Sequence, residues 1–583
     1  MKLAIPTTNQ DHPTWVLVLF GLGLPLIVCA VRAVPLLLDL FVPFDTQYSY
    51  LPLARMALDD FASLWHSELM LKTAPGAYLY MALMQADMET IKAGNLAMSM
   101  GITILLFDAL RRMAGWGAGA LAAWLYVLSP ALLFWTVYPM GEPVFIFLTG
   151  LWLWACVWAT HLNQASRRLR WLAIAIGGLA LACATLTRGT YLYGIPVAAF
   201  CFVFLAWRKP NEPFWRPLAF IHLIALVLVG SFVARSHVEF GKPVIAAGAG
   251  NALYYGLNPI YHGEDLPLYG AAFDEYYLLG TAKQLTLGAD EKQMAAVKQM
   301  VQDTPLPQLV SLGLHKAQAL LIYSTSHLRN YTERIWRIAL LCFGLAGFWW
   351  MRRNPITWVI AGVFVYQWLV HIPALYTPRY SIAALDLPLT FLAALGGWSA
   401  WHQSHKKRFW LLLVLTIVAV TAGAYHQRYS AKLLPDLSSA EVTPVIEANS
   451  NEITVTALNQ SPLQQQAISN DRQFTIEWKI DPLILNGEML LHLENLTISK
   501  SCKKLWISVT RSSGEILETE TSLRGLKPGK NFNWGFGHLY SQNPIISMQM
   551  KFQCKTNTAI EFSKLAIIKA SSGHRYRDKS VYK

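Results

Sequence analysis

Asp45 is the first group in this chain whose chemistry needs explaining. It stands in VPFDTQYSYLPLARMALDD (42–60), directly after the apolar run 15–40. A carboxylate at such a boundary is a candidate general base for a hydroxyl, a cap for the helix that opens after it, or a solvated acid. Four cations lie at comparable boundaries: Lys72, Arg188, Arg235 and Arg379, the last followed by Tyr380. Each is a candidate anion ligand or the partner of an acid, and Glu142, Asp59 and Asp60 are the acids at hand. Glu142 is in turn a group that either orients a hydroxyl or holds one of the arginines. Asp87 and Glu89 form an Asp-x-Glu pair that reads as interfacial charge, and His66, His237 and His371 stand alone. No His or Cys spacing marks a metal site.

The elements that must position these groups are membrane spans. Of the 583 residues, 54% are hydrophobic and 14% charged, and the mean hydropathy is +0.33, a balance that points to a polytopic membrane protein. Eleven apolar runs are candidate spans: 15–40, 93–110, 118–135, 144–160, 171–186, 191–207, 218–233, 338–350, 357–372, 382–398 and 410–424. The first is too long for a removable signal and reads as a retained span. Basic clusters recur at every second connection: Arg111-Arg112, Arg167 to Arg170, Arg208 to Arg216, Arg352-Arg353 and Lys406 to Arg408. The positive-inside rule then places the N-terminus in the cytoplasm and the odd connections outside. The formal net charge of +13 is largely this topology signal, so no nucleic-acid partner follows from it.

Two outside connections are elaborate, 41–92 and 234–337. In the first, Leu51, Ala54, Leu58 and Phe61 fall at helical spacing, as in a helix lying along the interface. The transmembrane domain is expected over 1–430, with a linker at 431–461 and a second domain at 462–583. There FTIEWKI (474–480), KLWISVT (504–510), IISMQMKF (545–552) and IEFSKLAII (560–568) read as strands of an antiparallel β-sandwich. Five cysteines lie in apolar runs and read as packing residues. Cys502 and Cys554 are the two in the outside domain, where a disulfide persists, and the expectation is one bridge between them.

Over roughly its first 400 residues the chain resembles the GT-C superfamily of integral membrane glycosyltransferases, especially the branch of protein mannosyltransferases and the lipid A aminoarabinose transferase. The segments that carry the likeness are Asp45 after the first span, TAPGAYLYMALM (73–84), SPALLFWTVYPMGEP (129–143), LTRGTYLYGIP (186–196), ARSHVEFGKPVIAAGAGNALYYGLNP (234–259) and TPRYSIAALDLP (377–388). Their order, each at an outside end, is the signal. Where the family often has Asp-Glu, this chain has Asp45-Thr46, so no second acid is carried over; the Trp-Trp-Asp motif of oligosaccharyltransferases is missing.

The resemblance implies sugar transfer from a polyprenyl-phosphate donor to an extracytoplasmic lipid, glycan or protein, in a bacterial inner membrane. Asp45 is then the general base, and Lys72, Arg188, Arg235, Arg379 and Tyr380 are ligands of the phosphate, with Arg188 and Arg379 foremost. A lipid-phosphate leaving group demands no metal, and no cofactor is expected. The rival readings are a flippase or transporter for a lipid-linked sugar and a noncatalytic envelope assembly protein. A transporter needs charges along a route within the spans, where the sequence offers little besides Asp108.

Overall fold

The computed structural model describes residues 15–38, 43, 45–161, 167–257, 286–323 and 331–402, a few positions from 410 to 422, and ten strands with adjoining turn residues between 442 and 570. Most of the eleventh apolar run and the basic tail 574–583 lie outside the described residues. The chain divides into two compact units. One comprises Met1–Ala252, Leu285–Leu287 and Gly313–Tyr429, the other Leu253–Gln284, Gly288–Leu312 and Ser430–Lys583.

The first unit is helical and built for lipid. Among the described residues, five of its helices are long and apolar enough to cross a membrane: Met88–Ala114, Glu142–His161, Arg167–Thr187, Trp215–Phe240 and Pro378–Trp401. Four shorter apolar helices join them, Leu19–Pro35, Trp116–Leu128, Gly194–Arg208 and Pro355–His371. Large apolar side chains such as Phe200, Trp207, Val227 and Trp401 face outward, as an integral membrane protein requires and a soluble one avoids.

Helix ends follow local chemistry. Asp87 caps Met88–Ala114 by accepting from the Thr90 amide at 2.8 Å and hydroxyl at 2.7 Å, and this bond to Thr90 holds its carboxyl below the usual range. At the other end Arg111 and Arg112 fill the last turn, and Gly115 at φ +97° stops the helix. Asp108 is held there by Arg111 at 2.6 Å, Arg112 at 2.9 Å and the indoles of Trp154 and Trp158 at 3.0 and 2.6 Å. The one span acid named in the transporter reading is therefore tied into a structural cluster.

A close helix crossing joins Tyr331–Met351 to Leu387–His402. A Cβ on Gly347 would lie 2.0 Å from the Leu392 carbonyl oxygen, and one on Gly396 would lie 1.9 Å from that of Phe343. Only glycine at both positions lets the two backbones meet so closely.

The first elaborate connection forms Leu51–Asp59 and Phe61–Trp65 rather than one continuous helix. Asp60 breaks the run and caps the second piece, accepting from the Ser63 amide at 3.0 Å. Leu51 and Ala54 are buried, while Leu58 and Phe61 are exposed.

In the second unit every strand pairing among the described residues is antiparallel. The strands are β1 (Val442–Asn449), β2 (Thr454–Ala457), β3 (Gln473–Leu483), β4 (Glu488–Ile498), β5 (Cys502–Arg511), β6 (Ile516–Ser522), β7 (Lys530–His538), β8 (Ile545–Cys554), β9 (Ile560–Glu561) and β10 (Lys564–Ala570). They make two five-stranded sheets, one ordered β1-β10-β4-β7 with β9 also on β4, the other β2-β3-β8-β5-β6. Two of the strands fall inside 431–461, the stretch expected to be a linker. Its period-two pattern there is short and interrupted by Pro444, so alternation alone does not reveal it. Cys502 is disulfide-bonded and faces Cys554 directly across the β5–β8 ladder. The other five cysteines are free.

Candidate active site

Four helix ends converge in the first unit. Asp45 follows Leu24–Leu38, Glu142 opens Glu142–His161, Arg188 follows Arg167–Thr187, and Arg379 lies in the first turn of the last long helix. The Tyr138–Gly141 stretch that delivers Glu142 is held from two sides. Asn95, buried in Met88–Ala114, donates to the carbonyls of Val137 and Tyr138 at 3.1 Å each, and the Thr46 hydroxyl donates to the Pro139 carbonyl. Arg188 is placed by a close backbone approach: a Cβ on Gly76 would lie 2.3 Å from the Thr187 hydroxyl oxygen and 2.9 Å from its Cα. The Pro75-Gly76 pair thus starts one helix and lets it rest on the end of another.

The charges at these ends pair with one another. Arg379 Nη1 lies 2.7 Å from Asp45 Oδ2, and its Nε lies 3.7 Å from Glu142 Oε1. Arg188 Nη1 donates to the same Glu142 oxygen at 3.3 Å. Tyr380 completes the group, its hydroxyl accepting from Arg379 Nη2 at 3.0 Å and its ring lying 4.5 Å from the Arg188 guanidinium. Two carboxylates and two guanidiniums therefore form one formally neutral network. Their exposures differ: the Glu142 side chain is 5% exposed and that of Asp45 38%. Glu142 Oε2 is buried with no hydrogen-bond partner among the described residues, which leaves acceptor capacity inside the network.

Sequence pattern alone leaves the role of Asp45 open between base and cap, and the structure bears on this. Asp45 precedes a π-helical turn, Thr46–Tyr50, and its side chain makes no capping hydrogen bond. It reaches Arg379 instead. Tyr50, from the same turn, escapes the sequence reading because nothing in TQYSY separates it from Tyr48. Burial raises its phenol pKa, and the nearby Glu142 and Asp45 carboxylates raise it further against the opposing Arg379. The phenol therefore stays protonated as a neutral donor beside the network.

The remaining expected residues lie elsewhere in the local structure. Arg235 is committed to Glu239 one turn on and to the Trp65 carbonyl, with its guanidinium 3.8 Å from the Trp65 ring. Its i,i+4 glutamate is a sequence signal that identifies this pairing. Lys72 follows the 3₁₀ turn Glu68–Leu71, whose Met70 sulfur Arg235 also contacts. His66 pairs with Glu239 at 3.2 Å, and His371 is buried with Nδ1 on the Gln367 carbonyl at 2.7 Å. Among the described residues no group of three His, Cys, Asp or Glu is arranged to hold a metal ion.

No family model matches the chain, and no curated protein matches it. Solved structures do. Oligosaccharyltransferase AglB from Archaeoglobus fulgidus, in complex with an inhibitory peptide and a dolichol-phosphate, matches at 12% identity and a TM-score of 0.40 over 72% of this chain. The match covers 56% of that protein, so this chain spans little more than half its length. ArnT from Cupriavidus metallidurans bound to undecaprenyl phosphate matches at 13% identity and a TM-score of 0.29, over 66% of this chain and 77% of that one. Arabinosyltransferase EmbB from Mycobacterium smegmatis matches at 11% identity and a TM-score of 0.24, over 95% and 64%.

Proposed function

We propose that this chain is an integral membrane glycosyltransferase that moves a sugar from a polyprenyl-phosphate donor to an extracytoplasmic lipid, glycan or protein. The observation that carries this reading is the network of Asp45, Arg379, Glu142, Arg188 and Tyr380 at one end of the bundle. In the reaction the acceptor oxygen attacks the anomeric carbon opposite the phosphate, the carbon–oxygen bond to phosphate breaks, and polyprenyl phosphate leaves. Asp45, the more exposed carboxylate, takes the acceptor's proton. Arg379 and Arg188 each have further N–H donors beyond those spent on the acids, and these meet the charge that develops on the phosphate. The last long helix begins at Pro378, so its positive dipole end adds to that field. Glu142 holds the two cations and turns its second oxygen toward an acceptor hydroxyl.

The same proposal includes eleven spans, a site on the outer face of a bacterial inner membrane, the outside C-terminal domain, and a bridge from Cys502 to Cys554. The alternating basic clusters support the orientation, and the β5–β8 register supports the bridge.

The test uses the purified full chain in detergent with a panel of polyprenyl-phosphate hexoses and pentoses, and membrane extract as acceptor. Asp45→Asn keeps size and polarity while removing the base, and transfer should fall about 10²–10⁴-fold with the protein monodisperse. Turnover equal to the parent's would show that the base lies elsewhere.

A further inference from the structure

Arg337 lies in the first turns of Tyr331–Met351 and is 1% exposed. It reaches neither Asp45 nor Glu142 in any of its contacts. Instead it grips both ends of one irregular turn. Its Nη1 donates to the Ser381 hydroxyl at 3.2 Å and to the Leu320 carbonyl at 3.1 Å. Its Nη2 lies 2.5 Å from Asp386 Oδ1 and donates to the Tyr323 hydroxyl at 3.1 Å. Ser381 closes the set by donating to the same Leu320 carbonyl at 2.8 Å. Between Ser381 and Asp386 the backbone is π-helical over Ile382–Asp386, with every side chain buried. Arg379 is three residues before Ile382, where this turn begins.

Ordinary stabilisation does not account for such a pair. Two fully buried charges cost much of their attraction in desolvation, and a well-packed apolar pair of similar volume is commonly as stable. A π-helical turn, with its one extra residue, is in contrast a feature that needs a specific hold and recurs where a side chain must be aimed. The hold has a fixed base, because Gly347 and Gly396 lock the helix of Arg337 to the helix that follows the turn. We infer that Arg337 and Asp386 are positioning residues: by clamping Ser381 and the end of the π turn, they set where the Arg379 guanidinium meets Asp45. The inference rests on the proposed function for its purpose, but its geometry is testable without ligand or turnover.

The experiment is carbodiimide footprinting of the carboxylates in the purified full chain, read by peptide mass spectrometry, in the parent, Asp386→Asn, Ser381→Ala, Arg379→Ala and the double variant Asp386→Asn with Arg379→Ala. Arg379 covers Asp45 in the parent, so Arg379→Ala defines full release. Asp386→Asn should raise Asp45 labelling at least about threefold, the size expected of coupling within one network, and should add nothing once Arg379 is gone. Labelling of Asp59, an exposed acid on the separate helix Leu51–Asp59, should not change. If Asp386→Asn is not monodisperse, Ser381→Ala, which removes one hydroxyl, decides by the same criterion. Asp45 labelling unchanged while the unfolding temperature falls would make the pair merely structural and overturn the inference. Because no sugar or lipid enters this measurement, a chain that proves not to transfer sugar leaves its result standing.

Discussion

Arg379 answers to two acids at once, and this makes its removal different in kind from that of Arg235. In Arg379→Ala, Asp45 loses its 2.7 Å partner and buried Glu142 keeps only Arg188. The stability cost should be about 2 kcal/mol, less than for a fully buried pair because Asp45 reaches solvent. On the proposed reading, binding of undecaprenyl phosphate, measured with the purified protein, should fall as well. Arg235→Ala removes a cation from Glu239 and from the Trp65 face. It should cost about 1–2 kcal/mol of stability while undecaprenyl phosphate binding stays at the parent's level. Equal loss of binding in both variants would restore Arg235 as a phosphate ligand. Position relative to the apolar runs brings Asp45, Glu142, Arg188 and Arg379 to notice, though they are spread over more than 300 residues. The same criterion brings in Arg235, because a boundary cation paired within its own helix and one paired to acids on other elements share the same composition. The contrast is written only in the fourth residue on. Tyr50 and Arg337 leave no mark of that kind, since their roles arise from contacts that no local spacing encodes.

The elements owe their placement to small residues and irregular turns more than to their apolar content. Gly76 is the clearest case. Its missing Cβ would meet both the side chain and the backbone of Thr187, the residue before Arg188. Gly76→Ala should therefore lower stability by about 1–3 kcal/mol and shift Arg188 away from Glu142. Trimming the neighbour in a Thr187→Ala double variant should not rescue it, because the Thr187 Cα and amide nitrogen stand in the same way. Thermal unfolding of the two variants checks this, and full rescue by Thr187→Ala would mean that only the hydroxyl was in contact. The long helices are legible from hydropathy, because twenty apolar residues can do little else in lipid. The π turns at Thr46–Tyr50 and Ile382–Asp386 are not, although the two halves of the Asp45–Arg379 pair sit just ahead of them. One extra residue per turn rotates the pattern too little to be seen over five positions. The strands within 431–461 are hidden for a related reason, a short run with a proline in it.

At the scale of the whole molecule, one helix relates the topology signal to the site. Met88–Ala114 has 27 residues, about 40 Å of rise, enough to cross the hydrocarbon core and enter both interfaces. One end carries Arg111 and Arg112 around Asp108. Toward the other, Asn95 holds the carbonyls of Val137 and Tyr138, five and four residues before Glu142. A helix with its arginines in the cytoplasm therefore puts Asp45, Glu142, Arg188 and Arg379 at the opposite face, whatever the number of spans farther along the chain. That placement depends neither on the eleventh run nor on the second unit. It predicts that Asp45→Cys, in intact spheroplasts of a bacterial host, reacts with a membrane-impermeant maleimide, since the side chain at this position is 38% exposed. A cysteine in place of Gly115, just past the arginines, should react only after the membrane is opened. Native Cys502 is disulfide-bonded, so it should stay silent until a reductant is added. The converse pattern, Gly115→Cys labelled in intact cells and Asp45→Cys protected, would turn the site to the cytoplasm. Two arginines paired to Asp108 would then have carried no orienting weight, and an outside donor and acceptor would have to be abandoned together.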